Sequence, residues 1–175
     1  MHSKSYRFLT PLIMVLTWAN MEAQTSHPVP RLVVNVTIDQ LRTDYMEAFS
    51  SLFGAGGFNK VMRDGRSYMD AAYPFSHIDR ASAVACIMTG TVPYDNGIVG
   101  EHWMDRKTLR PMYCVDDATC EGWLTSEKYS PVALNVSTVT DELKMATGGR
   151  ALVYSIAPDA DAAILAAGHA ADGAF

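Results

Sequence analysis

The sequence predicts an α/β layer fold with a mostly parallel sheet, and three observations carry that expectation. Residues 32–40, Leu-Val-Val-Asn-Val-Thr-Ile-Asp-Gln, form an apolar, β-branched run of strand length that stops on a carboxylate. Residues 150–157, Arg-Ala-Leu-Val-Tyr-Ser-Ile-Ala, read as a further buried strand. Between and after these runs lie stretches of helical spacing closed by glycines, so strand and helix alternate. The chain has 175 residues, of which 49% are apolar and 19% charged. That is enough for one domain with a real core, and the balance excludes a disordered chain. A net charge of -5 with no long basic run argues against a nucleic-acid surface.

In chain order, residues 1–23 have the layout of a secretory signal. Lys4 and Arg7 precede an apolar stretch over residues 8–18, too short for a transmembrane span, and Ala23 precedes a plausible cut. Export to the periplasm or medium is therefore expected, with no membrane anchor after signal removal. Residues 24–30 contain two prolines and read as a linker. The strand over 32–38 leads to Asp39, at the edge where ligands bind in open α/β sheets. Asp39 there suits either a metal ion or the cap of the next helix.

A helix is expected over residues 43–53, ended by Gly54, Gly56 and Gly57, and a short one over 58–63. Residues 67–73 read as a strand. A buried helix should start near Asp79 or Arg80 and stop at Gly90, and its free N–H groups make a natural anion site. Residues 91–101 read as a loop with a tight turn at Asn96-Gly97, and 102–114 as a hairpin with residues 106–108 near its tip. Residues 138–147 form an amphipathic helix stopped by Gly148-Gly149. After the strand at 150–157, residues 159–167 form a helix with Gly168 behind it, and no terminal element follows. Three strands do not complete such a sheet, so either the protein is small and unusual or the chain is the front part of a longer one. There are three cysteines. Cys114 and Cys120 flank an acidic turn and could bridge, whereas Cys86 reads as a buried thiol.

Four stretches in order carry a family resemblance. They are Val33-Val34 through Asp39-Gln40-Leu41-Arg42 with Asp44-Tyr45; Gly56-Gly57-Phe58; Met88-Thr89-Gly90 with Val92-Pro93, Asn96-Gly97-Ile98 and Gly100; and Ala163-Ile164-Leu165 with Ala167-Gly168-His169. Residues 138–143 resemble the helix that precedes the next strand. Together they resemble the alkaline phosphatase superfamily, on its type I phosphodiesterase/nucleotide pyrophosphatase branch. The periplasmic alkaline phosphatases with a Thr nucleophile are close to it.

The resemblance implies a three-layer alkaline-phosphatase-like fold, incomplete here, over residues 31–175. It also implies hydrolysis of phosphoric mono- or diesters with two zinc ions, Asp39 being one ligand. The departures are chemical. The family's nucleophile position holds Arg80, whose guanidinium stays protonated and is no nucleophile. The position of a phosphate-contacting Asn holds Glu101, and those of a Lys and an Arg hold Asp159 and Asp161. A phosphate dianion would be repelled by these carboxylates. Arg80 could form an ion-pair cluster with them, or the four could be solvated surface charges; a bound cationic group is a further option.

Ser82 and Asp79 are the neighbours that could replace the nucleophile, Ser82 more readily serving the helix start. His169 reads as a packed or capping residue before a zinc ligand. Two functions compete: an exported zinc hydrolase with altered preference, and a pseudo-enzyme that keeps the fold for binding or scaffolding. A third reading is a truncated product whose unpaired strand edges would aggregate.

Overall fold

The computed structural model describes residues 29–175. The expected signal and most of the linker lie outside the described residues. The chain divides into two units, Met1–Val33 and Val34–Phe175. Of the first, only residues 29–33 are described, and all are exposed.

In the second unit the elements run α1 (Thr43–Ala48), a 3-10 turn (Ser50–Leu52), α2 (Gly57–Asp64), α3 (Arg80–Thr89), α4 (Pro93–Asn96), β1 (His102–Met104), β2 (Pro111–Tyr113), α5 (Val139–Ala146), β3 (Tyr154–Ser155), α6 (Ala160–Ala167) and β4 (Gly173–Ala174). Strands β1 and β2 form the expected antiparallel hairpin, with Trp103 opposite Met112. Strands β3 and β4 pair in parallel.

The helices follow their local signals. Asp79 N-caps α3 through a capping box with Ser82, and Gly90, in the left-handed region at φ 68°, closes it. Thr138 and Asp141 make a second capping box at the start of α5. Helix α3 buries Ala81, Val84, Ala85 and Met88 around one core with Ile98, Cys114, Val115, Leu134 and Leu165. The small residues on α3, together with Ala163 and Ala167 on α6, let these helices pack closely, so that α6 begins beside the start of α3.

The strand expectations need correction. Residues 32–38 are extended but pair with no neighbour among the described residues, and Val34 and Val36 are 71% and 73% exposed. β-branched residues favour extended backbone, but a strand exists only as part of a ladder. Residues 67–73 are irregular, with a bend at Met69-Asp70, rather than a strand. The strand at 150–157 contracts to Tyr154–Ser155, with Val153 buried and Leu152 and Ile156 outward. Its partner is the terminal β4, where no element was expected, and Phe175 N–H donates to Ser155 O at 2.9 Å. The helix expected over 43–53 breaks at Phe49. The loop at 91–101 contains the single turn α4, whose buried Asn96 donates to Thr91 O and accepts from Ile98 N–H.

All three cysteines are free. Cys114 is fully buried, and the Cys120 thiol donates to the carbonyls of Asp117 and Tyr129. Cys86 is half-buried rather than buried.

Candidate functional site

Four residues from three separate stretches of the sequence meet where α3, the base of the hairpin and α6 converge. Arg80 is the first residue of α3. Its Nε donates to Asp161 Oδ2 at 3.0 Å and Oδ1 at 3.3 Å, and its Nη2 donates to Asp161 Oδ1 at 2.9 Å. Nη2 also lies 3.3 Å from Glu101 Oε1, and Nη1 lies 3.2 Å from Asp159 Oδ2. Every guanidinium nitrogen thus faces a carboxylate. The structure brings Arg80, Glu101, Asp159 and Asp161 together, and the Arg80 side chain keeps 28% of its exposure.

Asp161 is the buried anchor, with no exposed surface. Besides Arg80 it accepts from the Tyr113 hydroxyl at 3.0 Å, while its own backbone N–H donates to that hydroxyl at 3.1 Å. A buried carboxylate is tolerable only when its lone pairs are satisfied, and the forked guanidinium supplies two parallel donors. The hydrogen bonds that Arg80 donates to Asp161 hold its guanidinium above its usual range, against the opposing effect of burial. Burial, then the bond to Asp161, pushes the Tyr113 hydroxyl up as well. Burial, with the charges of Asp161, Asp79 and Glu101, pushes the Cys114 thiol up to about 12. One cation meets three carboxylates here, so the site is net negative. A helix N-terminus normally favours an anion, and Arg80 sits there only because carboxylates surround it.

Asp79 and Ser82 lie beside this cluster. Ser82 is fully buried, and its hydroxyl accepts from Asp79 N–H at 3.0 Å and donates to Asp79 Oδ1 at 2.8 Å. That geometry commits the hydroxyl to the helix start. Asp79 Oδ1 accepts from Ser82 N–H at 2.9 Å, and Oδ2 accepts from Glu101 N–H at 2.6 Å. Burial alone would raise the Asp79 carboxyl, but the bonds from Ser82 and Glu101 outweigh it and hold it below the usual range.

Asp39 is exposed, in a turn with Gln40 at φ 57°, a conformation uncommon for a side chain of that size. It does not cap the next helix, since Arg42 is the N-cap residue of α1 and no side chain bonds there. Among the described residues no three His, Cys, Asp or Glu side chains gather to hold a metal. A zinc centre takes about four ligands. Asp39 alone does not make one, and no chemical step follows from it.

His169 stands apart from the Arg80 cluster. Its Nδ1 bonds Asp141 Oδ2 and its Nε2 bonds Leu134 O, each at 3.0 Å. Asp141 also accepts from Thr138 N–H and Ala170 N–H at 2.9 Å. Burial opposes, but these bonds draw the Asp141 carboxyl down to about 2. Gly168, at φ 79°, permits the knot, because a Cβ there would collide with the Thr138 hydroxyl.

Sequence reasoning did not reach Tyr113 or the double role of Asp79. Asp79-x-x-Ser82 carries a local capping signal for half of that role. Tyr113 lies 48 positions from Asp161, and nothing local marks the pair.

The architecture has known counterparts. The crystal structure of wild-type alkaline phosphatase PafA superimposes with a TM-score of 0.79 at 34% identity, over 85% of this chain and 29% of that one. A PafA variant with four substitutions gives 0.72 at 34% identity, over 85% and 30%. The fold is therefore alkaline-phosphatase-like. Residues 33–166 match the family model described as Type I phosphodiesterase / nucleotide pyrophosphatase. The chain belongs to that family, within the alkaline phosphatase superfamily. Alkaline phosphatase PhoV of Synechococcus elongatus is 40% identical over 83% of this chain and 27% of its own length. Alkaline phosphatase PafA of Elizabethkingia meningoseptica is 32% identical over 97% of this chain and 32% of its own. The chain thus spans about a third or less of these relatives.

Proposed function

We propose that this protein is an exported member of the superfamily in which the phosphate pocket has become an internal ion-pair cluster, and that it binds or scaffolds rather than hydrolyses. One observation carries the reading: every guanidinium nitrogen of Arg80, the residue that the family resemblance puts at the nucleophile position, faces a carboxylate. A protonated guanidinium attacks no phosphorus. A phosphate dianion at this place would meet Glu101, Asp159 and Asp161 and be repelled. The export part rests on the layout of residues 1–23 and is checked by sequencing the N-terminus of secreted protein, which should begin at Gln24.

The test of the main reading is turnover of an aryl phosphate monoester and diester by the whole protein supplied with zinc. No turnover above buffer is expected. Zinc-dependent turnover that survives Arg80→Ala would overturn the reading, because another group would then be the nucleophile.

A second reading is a zinc-dependent phosphoric-ester hydrolase with altered preference. The 40% identity to an alkaline phosphatase favours it. Asp39 would supply one metal ligand, and Ser82 or Asp79 would have to leave the capping box to attack. Metal analysis of the whole protein separates the readings: about two zinc ions per chain would support retained hydrolytic chemistry. No bound zinc after supplementation would remove it.

A further inference from the structure

Asp79 lies outside the four-residue cluster, yet its carboxylate joins two of the elements that form it. We infer that Asp79 is the positioning residue of the cluster. One of its oxygens fixes the first turn of α3, which carries Arg80, and the other fixes the backbone of Glu101. The inference rests on the reading of Arg80, Glu101, Asp159 and Asp161 as one closed site.

The geometry separates the two tasks. Oδ1 receives Ser82 N–H and Ser82 Oγ–H, the ordinary work of an N-cap. Oδ2 receives Glu101 N–H at 2.6 Å, across 22 positions of sequence. Cys114 N–H donates to Glu101 O at 2.9 Å, so the peptide unit before Glu101 is held by α3 and the one after it by the hairpin. Glu101 then has little freedom except in its side chain, which reaches Arg80 Nη2. The approach is close. A Cβ built on the neighbouring Gly100 would stand 3.0 Å from Asp79 Oδ2, so a glycine is what leaves room for the carboxylate. Glu101 and Asp159 are the partners on the open side of Arg80, 37% and 45% exposed against none for Asp161. Freeing Glu101 therefore uncovers the Nη2 side of the guanidinium, while Asp159 stays on Nη1 and Asp161 still holds the group from beneath.

Asp79→Asn tests this in the whole protein. An amide oxygen caps as well as a carboxylate and keeps the bond to Ser82 N–H. The amide nitrogen would face Glu101 N–H, donor against donor, and that bond is lost. The readout is modification by phenylglyoxal, a dicarbonyl reagent for guanidinium groups, followed at Arg80 and at exposed Arg110 by peptide mass spectrometry. In the unaltered protein Arg80 should react more slowly than Arg110. In Asp79→Asn its rate should rise on the order of fivefold, the population change expected from losing about one net hydrogen bond, with Arg110 unchanged. If Asp79→Asn does not fold, Gly100→Ala presses on the same bond while leaving the cap carboxylate intact. It should then raise the Arg80 rate in the same way.

Arg80 protected equally in the parent and the folded variant would overturn the role of Asp79 and leave the closed cluster standing. Arg80 reacting as fast as Arg110 in the parent would instead overturn the closed cluster itself.

Discussion

Residues 34–75 and residues 79–175 carry similar local signals and reach different outcomes. Helices α1 and α2 form where spacing and glycines place them, yet neither buries a residue. Helix α3, of comparable length, buries Ala81, Ser82, Val84, Ala85 and Met88. The run Val34, Val36 and Ile38 is as apolar as the core, yet each of these side chains is about half exposed or more. The lesson is that local spacing and turns let an element form even without a side-chain cap, whereas a partner surface decides whether it contributes stability. In the second region α6, the hairpin and the loop carrying Leu134 supply that surface, and polar knots pin its edges.

The contrast can be broken by substitution. The largest effect is expected at the core: Ile98→Ala removes a fully buried side chain and should cost about 4 kcal/mol in denaturant unfolding. A loss below about 1 kcal/mol would mean that this core is not close-packed. Next comes Arg80→Thr, which strands the fully buried Asp161 beside two other carboxylates. It should cost about 3 kcal/mol, read as a fall in Tm of roughly 10 °C. Unchanged or improved Tm would place these pairs with solvated surface charges.

Acid should act through Asp141. Its folded pKa of about 2 lies below the ordinary carboxylate value of 3.8, so it contributes stability above about pH 4 that is lost as pH falls towards 2. That contribution is about 2 kcal/mol at neutral pH. A Tm profile from pH 6 to 2 should show it, and Asp141→Asn should flatten it. An identical profile in the variant would assign the acid loss to other carboxylates. The smallest effect belongs to the first region. Val36→Thr should change stability by no more than about 0.5 kcal/mol. A loss above 1 kcal/mol would show that the run is covered in solution, and the two regions would then differ less than their exposures suggest.

Much of the second region was legible in the sequence. Asp79, Thr138, Gly90 and Gly148 marked helix ends through short-range bonds, so α3, α5 and α6 lie within a residue or two of their expected limits. The hairpin was readable for the same reason. Of the three expected strands only Tyr154–Ser155, within the last, is paired, because pairing depends on residues far away and β-branched runs only permit it. The convergence of Arg80, Glu101, Asp159 and Asp161 was reachable only by aligning the positions with a family pattern. No local signal ties residue 80 to residue 161. Tyr113 had no such pattern to expose it; Asp141 and His169 both lie in the family stretches and His169 reads as a packed residue, but nothing local pairs the two across 28 positions.

The buried thiol of Cys114 has a practical consequence. It lies in the core with no exposed surface and titrates near 12, so at neutral pH it is almost wholly protonated and beyond the reach of alkylating reagents. Iodoacetamide can trap it only when the packing between α3 and the hairpin opens. Its labelling rate is therefore a built-in clock for the opening of this core, needing neither an introduced probe nor a known substrate.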